Sequence, residues 1–69
     1  MEGELQRALG RNLRAFRSRQ GLTQEKLAEH WGCSRGYISE LERGKRNVSL
    51  RTLEYLATLT GTTPLALLA

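Results

Sequence analysis

Aspartate is absent from this chain, and histidine, cysteine, proline, tryptophan, phenylalanine and methionine occur once each. A lone Cys33 excludes an internal disulfide framework. With one His30 and no aspartate, no cluster has metal-ligand spacing, and no catalytic constellation can be assembled. No glycine-rich phosphate loop is present. Catalytic residues, a metal and a cofactor are therefore not expected, and an enzyme is excluded. No run approaches the roughly 18 apolar residues of a membrane span. Met1 to Leu9 lacks the apolar core of a secretory signal. The expected compartment is the reducing cytoplasm. No segment alternates apolar and polar residues with period two, so no strand is expected. Repeats, linkers and low-complexity tracts are also missing.

What remains is a chain of 69 residues, room for one domain over residues 1–69. A chain of this size buries only about 60% of its unfolded surface, so its margin of stability is thin. Association with a second copy is a common remedy. Eleven Lys and Arg face seven acids, all Glu, for a net charge of +4 and a pI near 10.0. A pI above about 9 is an electrostatic footprint of nucleic-acid binding. Nine of the eleven cations are Arg, whose planar fork suits phosphates and guanines.

The apolar spacing is helical throughout. Leu5, Leu9, Leu13 and Phe16 form one stripe on a first helix from about Glu4 to Gln20. Gly21 and Leu22 then give a glycine stop followed by an apolar residue. Gly10, inside that helix, costs about 1 kcal/mol relative to alanine and is explicable by close approach of a neighbouring helix. Thr23 caps a second helix, with Leu27, Ala28 and Trp31 inward and Gly32 as its stop. Ser34 caps a third, with Ile38 and Leu41 inward and Gly44 as its stop. Ser49 caps a fourth, with Leu50, Leu53, Leu56 and Ala57 inward and Gly61 as its stop. Thr63 and Pro64 open a short fifth helix bearing Leu65 and Leu68. The fold class is a compact all-α bundle of five helices.

Residues 24–43 form a unit. Small Ala28 lets the next helix cross closely, Gly32 turns the chain, and Ile38 and Leu41 lock the two helices together. This is the pattern of a helix-turn-helix, whose second helix enters the major groove of DNA. The run LTQEKLAEHWGCSRGYISELERGKRNVSLRTLEYLATLTG resembles the phage-repressor and Cro (XRE) family, with the resemblance covering residues 13–61. SRGYISELERGKRNVSL is similar in style to the small dimeric controller proteins of restriction–modification systems. The resemblance implies a lambda-repressor-like domain of five helices that binds double-stranded DNA as a homodimer and regulates transcription. RNA polymerase is a further implied partner.

Site residues follow from helix period and family. At roughly 100° per residue, Gly36 and Arg43 point opposite the buried Ile38 and Leu41, with Ser39 and Glu40 beside them and Arg35 and Tyr37 on the flanks. Ser34 and Glu42 fall nearer the buried side. Arg35, Gly36, Tyr37, Ser39 and Glu40 are the base-reading set. Arg35 reads a guanine or holds a phosphate, and Gly36 lets the backbones approach. Tyr37 meets backbone, a thymine methyl or the core, while Glu40 accepts from a cytosine N4 or pairs with Arg43. Gln24, by family resemblance, grips a phosphate and braces the start of the third helix. Ser34, Arg43, Lys45, Arg46, Asn47 and Ser49 complete the phosphate set, and Arg51 extends that basic stretch. The other Arg of the first helix lie on several faces and favour solubility. Arg17 and Glu42 match a family pair that bridges the first and third helices. Trp31 is expected in the core, Cys33 as a small turn residue and His30 in solvent. A dimer surface is expected at Leu59, Thr62, Pro64, Leu65 and Leu68. An antitoxin or protein-interaction adaptor on the same fold is the alternative function.

Overall fold

In the computed structural model, residues 3–69 are described. The first two positions of the Met1–Leu9 stretch lie outside them. The described residues contain five helices and no strand: α1 Glu4–Arg19, α2 Gln24–Trp31, α3 Arg35–Glu42, α4 Leu50–Thr60 and α5 Pro64–Leu67. The hydroxyls of Thr23, Ser34, Ser49 and Thr63 each accept an early backbone N–H of α2, α3, α4 and α5 respectively. Such caps satisfy donors that the first helical turn leaves unpaired. Gln20 caps the end of α1, so that helix stops one residue earlier than the apolar spacing implied. At Gly32 the backbone turns left-handed, with φ of 69°, and Cys33 N–H reaches back to the Ala28 carbonyl at 3.0 Å. A side chain would strain that corner, so glycine there sets the angle between α2 and α3.

α3 packs against both α1 and α2, while α5 packs against α1 and α4. The main core joins Leu9 and Leu13 of α1, Leu41 of α3, Leu53, Leu56 and Ala57 of α4, and Leu67 of α5. A second cluster of Leu27, Ala28 and Ile38 seals the α2–α3 corner. Trp31 packs against both clusters, and its ring stacks on Phe16 with centroids 6.1 Å apart. The side-chain amide of Asn12 donates to the Leu67 carbonyl at 2.8 Å and to the Ala69 carbonyl at 3.2 Å, tying the end of α5 to α1.

Gly10 has a steric cause. A Cβ there would stand 2.5 Å from the Leu41 carbonyl oxygen and 2.6 Å from that of Glu42. α1 therefore meets the end of α3 backbone to backbone, and no larger residue fits without moving a helix.

Two leucines expected inward, Leu5 and Leu50, are 61% and 81% exposed, and Leu65 is 81% exposed. Each sits in the first turn of its helix, beyond the edge of the core. In α5 the buried position is Leu67, with Leu68 only partly covered. Ser34 is also exposed, its hydroxyl turned to the cap rather than the interior.

Candidate nucleic-acid interface

α3 is the helix that its neighbours present to solvent. Ile38 and Leu41 are 1% and 2% exposed, and they anchor one side of it. On the other side Arg35, Gly36 and Arg43 are exposed, and Tyr37, Ser39 and Glu40 are half-buried. Arg35 stands at the first helical position, immediately after the Ser34 cap. The Ser34 hydroxyl accepts the Tyr37 N–H at 3.1 Å. The Ser49 hydroxyl accepts the Thr52 N–H at 3.0 Å and donates to Thr52 Oγ1 at the same distance. Both serines hold helix starts in place beside the basic residues.

Two open depressions flank this face. One, of about 460 Å³, is bordered by Arg17, Thr23, Gln24, Glu25 and Arg35. The other, of about 410 Å³, is bordered by Tyr37, Lys45, Arg46, Asn47, Val48, Ser49 and Thr52. The first depression joins the start of α2 to the start of α3, and the second joins α3 to the α3–α4 connection and the start of α4. Arg51, at the start of α4, is exposed. Thr23, Glu25 and Thr52 join these borders unforeseen. Their positions depend on how three helix ends converge, which local spacing does not reveal.

The far end of α3 is held by an ion pair. Arg17 Nε donates to Glu42 Oε2 at 2.6 Å and Arg17 Nη2 to Glu42 Oε1 at 3.0 Å. Arg17 Nη1 also donates to the Leu22 carbonyl at 2.9 Å. The two side chains are 16% and 4% exposed. Gln24 Nε2 donates to Glu42 Oε1 at 3.0 Å. Gln24 therefore braces the end of α3, not its start as family resemblance implied. Burial pushes the Glu42 carboxyl up. Hydrogen bonds from Arg17 and Gln24, with the charges of Arg17 and Arg14, outweigh it and hold the carboxyl below the usual carboxylate range. The Glu42 hydrogen bond in turn raises the Arg17 guanidinium. No described, buried side-chain nitrogen or oxygen lacks a partner.

Glu40 meets a different partner from the one its spacing implied. Its carboxylate lies 3.6 Å from Arg46 Nη1, so the pair joins α3 to the loop beyond it and Arg43 is not the partner. The guanidinium carbon of Arg46 sits 4.7 Å from the Tyr37 ring centroid, within cation–π range. Tyr37 also packs on the main core, so it serves the interior and the surface together. Cys33 is half-buried and burial pushes its thiol up, which disfavours the reactive thiolate. His30 is exposed. Among the described residues no group of three or more His, Cys, Asp or Glu could hold a metal, and no helix is long and apolar enough to cross a membrane.

A helical surface with an exposed arginine at the start of α3, presented by a glycine corner on α2, defines a helix-turn-helix domain. The chain belongs to the helix-turn-helix domain family, whose profile matches residues 8–69. It is 44% identical over 54 residues to the control protein C.SmaI of Serratia marcescens, covering 78% of this chain and 64% of that protein. It is 39% identical over 69 residues to the control protein C.BamHI of Bacillus amyloliquefaciens, covering 99% of this chain and 85% of that one. Among solved structures it resembles the restriction–modification controller protein C.AhdI of Aeromonas hydrophila. That match has a TM-score of 0.72 at 42% identity and covers 90% of this chain and 94% of that one. The chain is thus a helix-turn-helix protein of the family that includes these control proteins, and it spans 64% of the length of C.SmaI.

Proposed function

We propose that this chain is a sequence-specific regulator of transcription that binds duplex DNA as a homodimer on a near-palindromic operator, in the manner of a restriction–modification controller. The observation that carries the reading is Arg35, exposed at the start of a helix whose opposite side is locked into the core. A guanidinium there can span O6 and N7 of a guanine. Gly36, Tyr37, Ser39 and Glu40 complete the reading surface. Gln24, Ser34, Arg43, Lys45, Arg46, Asn47 and Ser49 border it and lie along the phosphates. Each phosphate neutralised steepens the salt dependence of binding by about 0.9 in log–log slope.

The dimer reading draws on Leu65, 81% exposed, with exposed Thr62 and half-buried Leu59, Pro64 and Leu68. Tyr55, 57% exposed on α4, offers a further apolar contact. Two copies would set their α3 helices about 34–36 Å apart, on half-sites one DNA turn apart. Such a dimer acts in the cytoplasm by covering a promoter, by recruiting RNA polymerase, or by each at a different site. The reading assigns the chain no reaction.

The test is selection from random duplexes at one salt concentration, with wild type and Arg35→Ala. A near-palindromic motif that loses a guanine preference in the variant is the expected result. Enrichment of no motif overturns the reading and moves the function to a protein-interaction adaptor or antitoxin, to be sought as a stoichiometric partner.

A further inference from the structure

A carboxylate is the wrong sign of charge for a surface that meets a polyanion, yet Glu40 lies on the outer side of α3. The residues around it give a physical reason. Tyr37 and Glu40 stand one turn apart, and Arg46 returns from the connection to α4 and lies across both. The Glu40–Arg46 gap is 3.6 Å, and the two side chains are 46% and 48% exposed. That is an ion pair open to solvent, and such pairs exchange partners at little cost. Arg46 also borders the polar depression beside α4, one of the places assigned above to phosphate.

We propose that Glu40 is a specificity-determining residue that acts as a stand-in for phosphate. In free protein and on unmatched DNA it keeps Arg46 neutralised against Tyr37. Arg46 moves to a backbone phosphate only where the groove offers Glu40 a replacement donor, such as the amino group of cytosine or adenine. An ionised carboxylate can only accept hydrogen bonds. Opposite guanine O6 or thymine O4 it faces another acceptor, so releasing Arg46 there strands an unpaired charge in a closing interface. The phosphate contact of one residue is thereby made conditional on the base opposite another, which is discrimination by an unfavourable wrong state. This inference rests on the DNA-binding reading.

The experiment compares dissociation constants for two duplexes of equal length and composition at one salt concentration. One carries the motif enriched by selection and the other a scrambled sequence. The proteins are wild type, Glu40→Gln, Arg46→Ala and the double variant, with Glu29→Gln as a charge-matched control. Glu29 suits that role because it pairs with Lys26, also at 3.6 Å, on the exposed surface of α2. Glu40→Gln is expected to tighten scrambled binding about five-fold more than Glu29→Gln does, with no matching gain on the motif. The excess should vanish when Arg46 is alanine. Equal shifts by both Gln variants on both duplexes overturn the proposal while leaving DNA binding intact. An excess that survives in Arg46→Ala overturns it as well. If selection enriches no motif, the DNA-binding reading fails first and this assignment falls with it. Thermal melts confirm that every variant is folded.

Discussion

At its far end α3 is held by Glu42, whose side chain is 4% exposed and takes Arg17 at 2.6 Å and 3.0 Å and Gln24 at 3.0 Å. Two residues earlier Glu40, 46% exposed, meets Arg46 at 3.6 Å with no hydrogen bond between them. The same residue type, on the same helix, does opposite work. Glu42 lies where three elements converge, so its partners are fixed and little of its side chain meets solvent. Glu40 lies where the protein faces solvent, so its partner is replaceable. Burial, more than charge, separates the contact that builds the surface from the contact that the surface can trade.

The widest separation between the two is expected in stability. Arg17→Ala leaves the Glu42 carboxylate buried with Gln24 as its remaining side-chain hydrogen-bond donor and should cost about 3 kcal/mol in urea unfolding. A loss below about 1 kcal/mol would make the two pairs equivalent and break the comparison.

Gly10→Ala attacks the same seat by a different route. Its new methyl meets the Leu41 and Glu42 carbonyls, and overpacking of this kind costs about 2 kcal/mol. A neutral effect would show that α1 and α3 can part at this point without loss.

Acid sharpens the contrast. The Glu42 carboxyl is held below its unfolded value, so its contribution is complete above the ordinary carboxylate pKa of about 4.3. It is lost as pH falls through the depressed folded value. Unfolding free energy measured from neutral pH downward should therefore fall in that acid window for wild type. Glu42→Gln, less stable at neutral pH, should lose less there. Identical slopes would place the acid sensitivity elsewhere.

The smallest effect is expected at the open pair. Arg46→Ala should change stability by less than about 1 kcal/mol while flattening the salt dependence of binding to the selected motif by about 0.9 in log–log slope. A large loss of stability would make Arg46 a structural residue.

Much of the frame was legible because its signals are local. A hydroxyl before a helix, or a glycine then an apolar residue after it, acts within four or five positions. Thr23, Ser34, Ser49, Thr63 and Gly32 therefore stand where spacing put them. Leu5 and Leu50 read inward because periodicity names a side of a helix without saying whether anything covers its first turn. Gly10 could be suspected of a close approach, yet its partner is a carbonyl pair 31 and 32 residues onward, at Leu41 and Glu42. The candidate site divides in the same way. The exposure of Arg35 follows from helix period and the α2–α3 corner. Arg46 over Tyr37 depends on the path of the loop between α3 and α4. Gln24 on Glu42 depends on how α2 leaves its turn.

The contact at Gly10 bears on how such a protein changes its target. Main-chain atoms seat the last turn of α3 against α1, so that seat is indifferent to which side chains α3 turns toward solvent. On the proposed reading, exchanging positions 35, 36, 39, 40 and 43 changes the DNA word without touching that seat. The vocabulary is free to drift because the grammar is written in backbone.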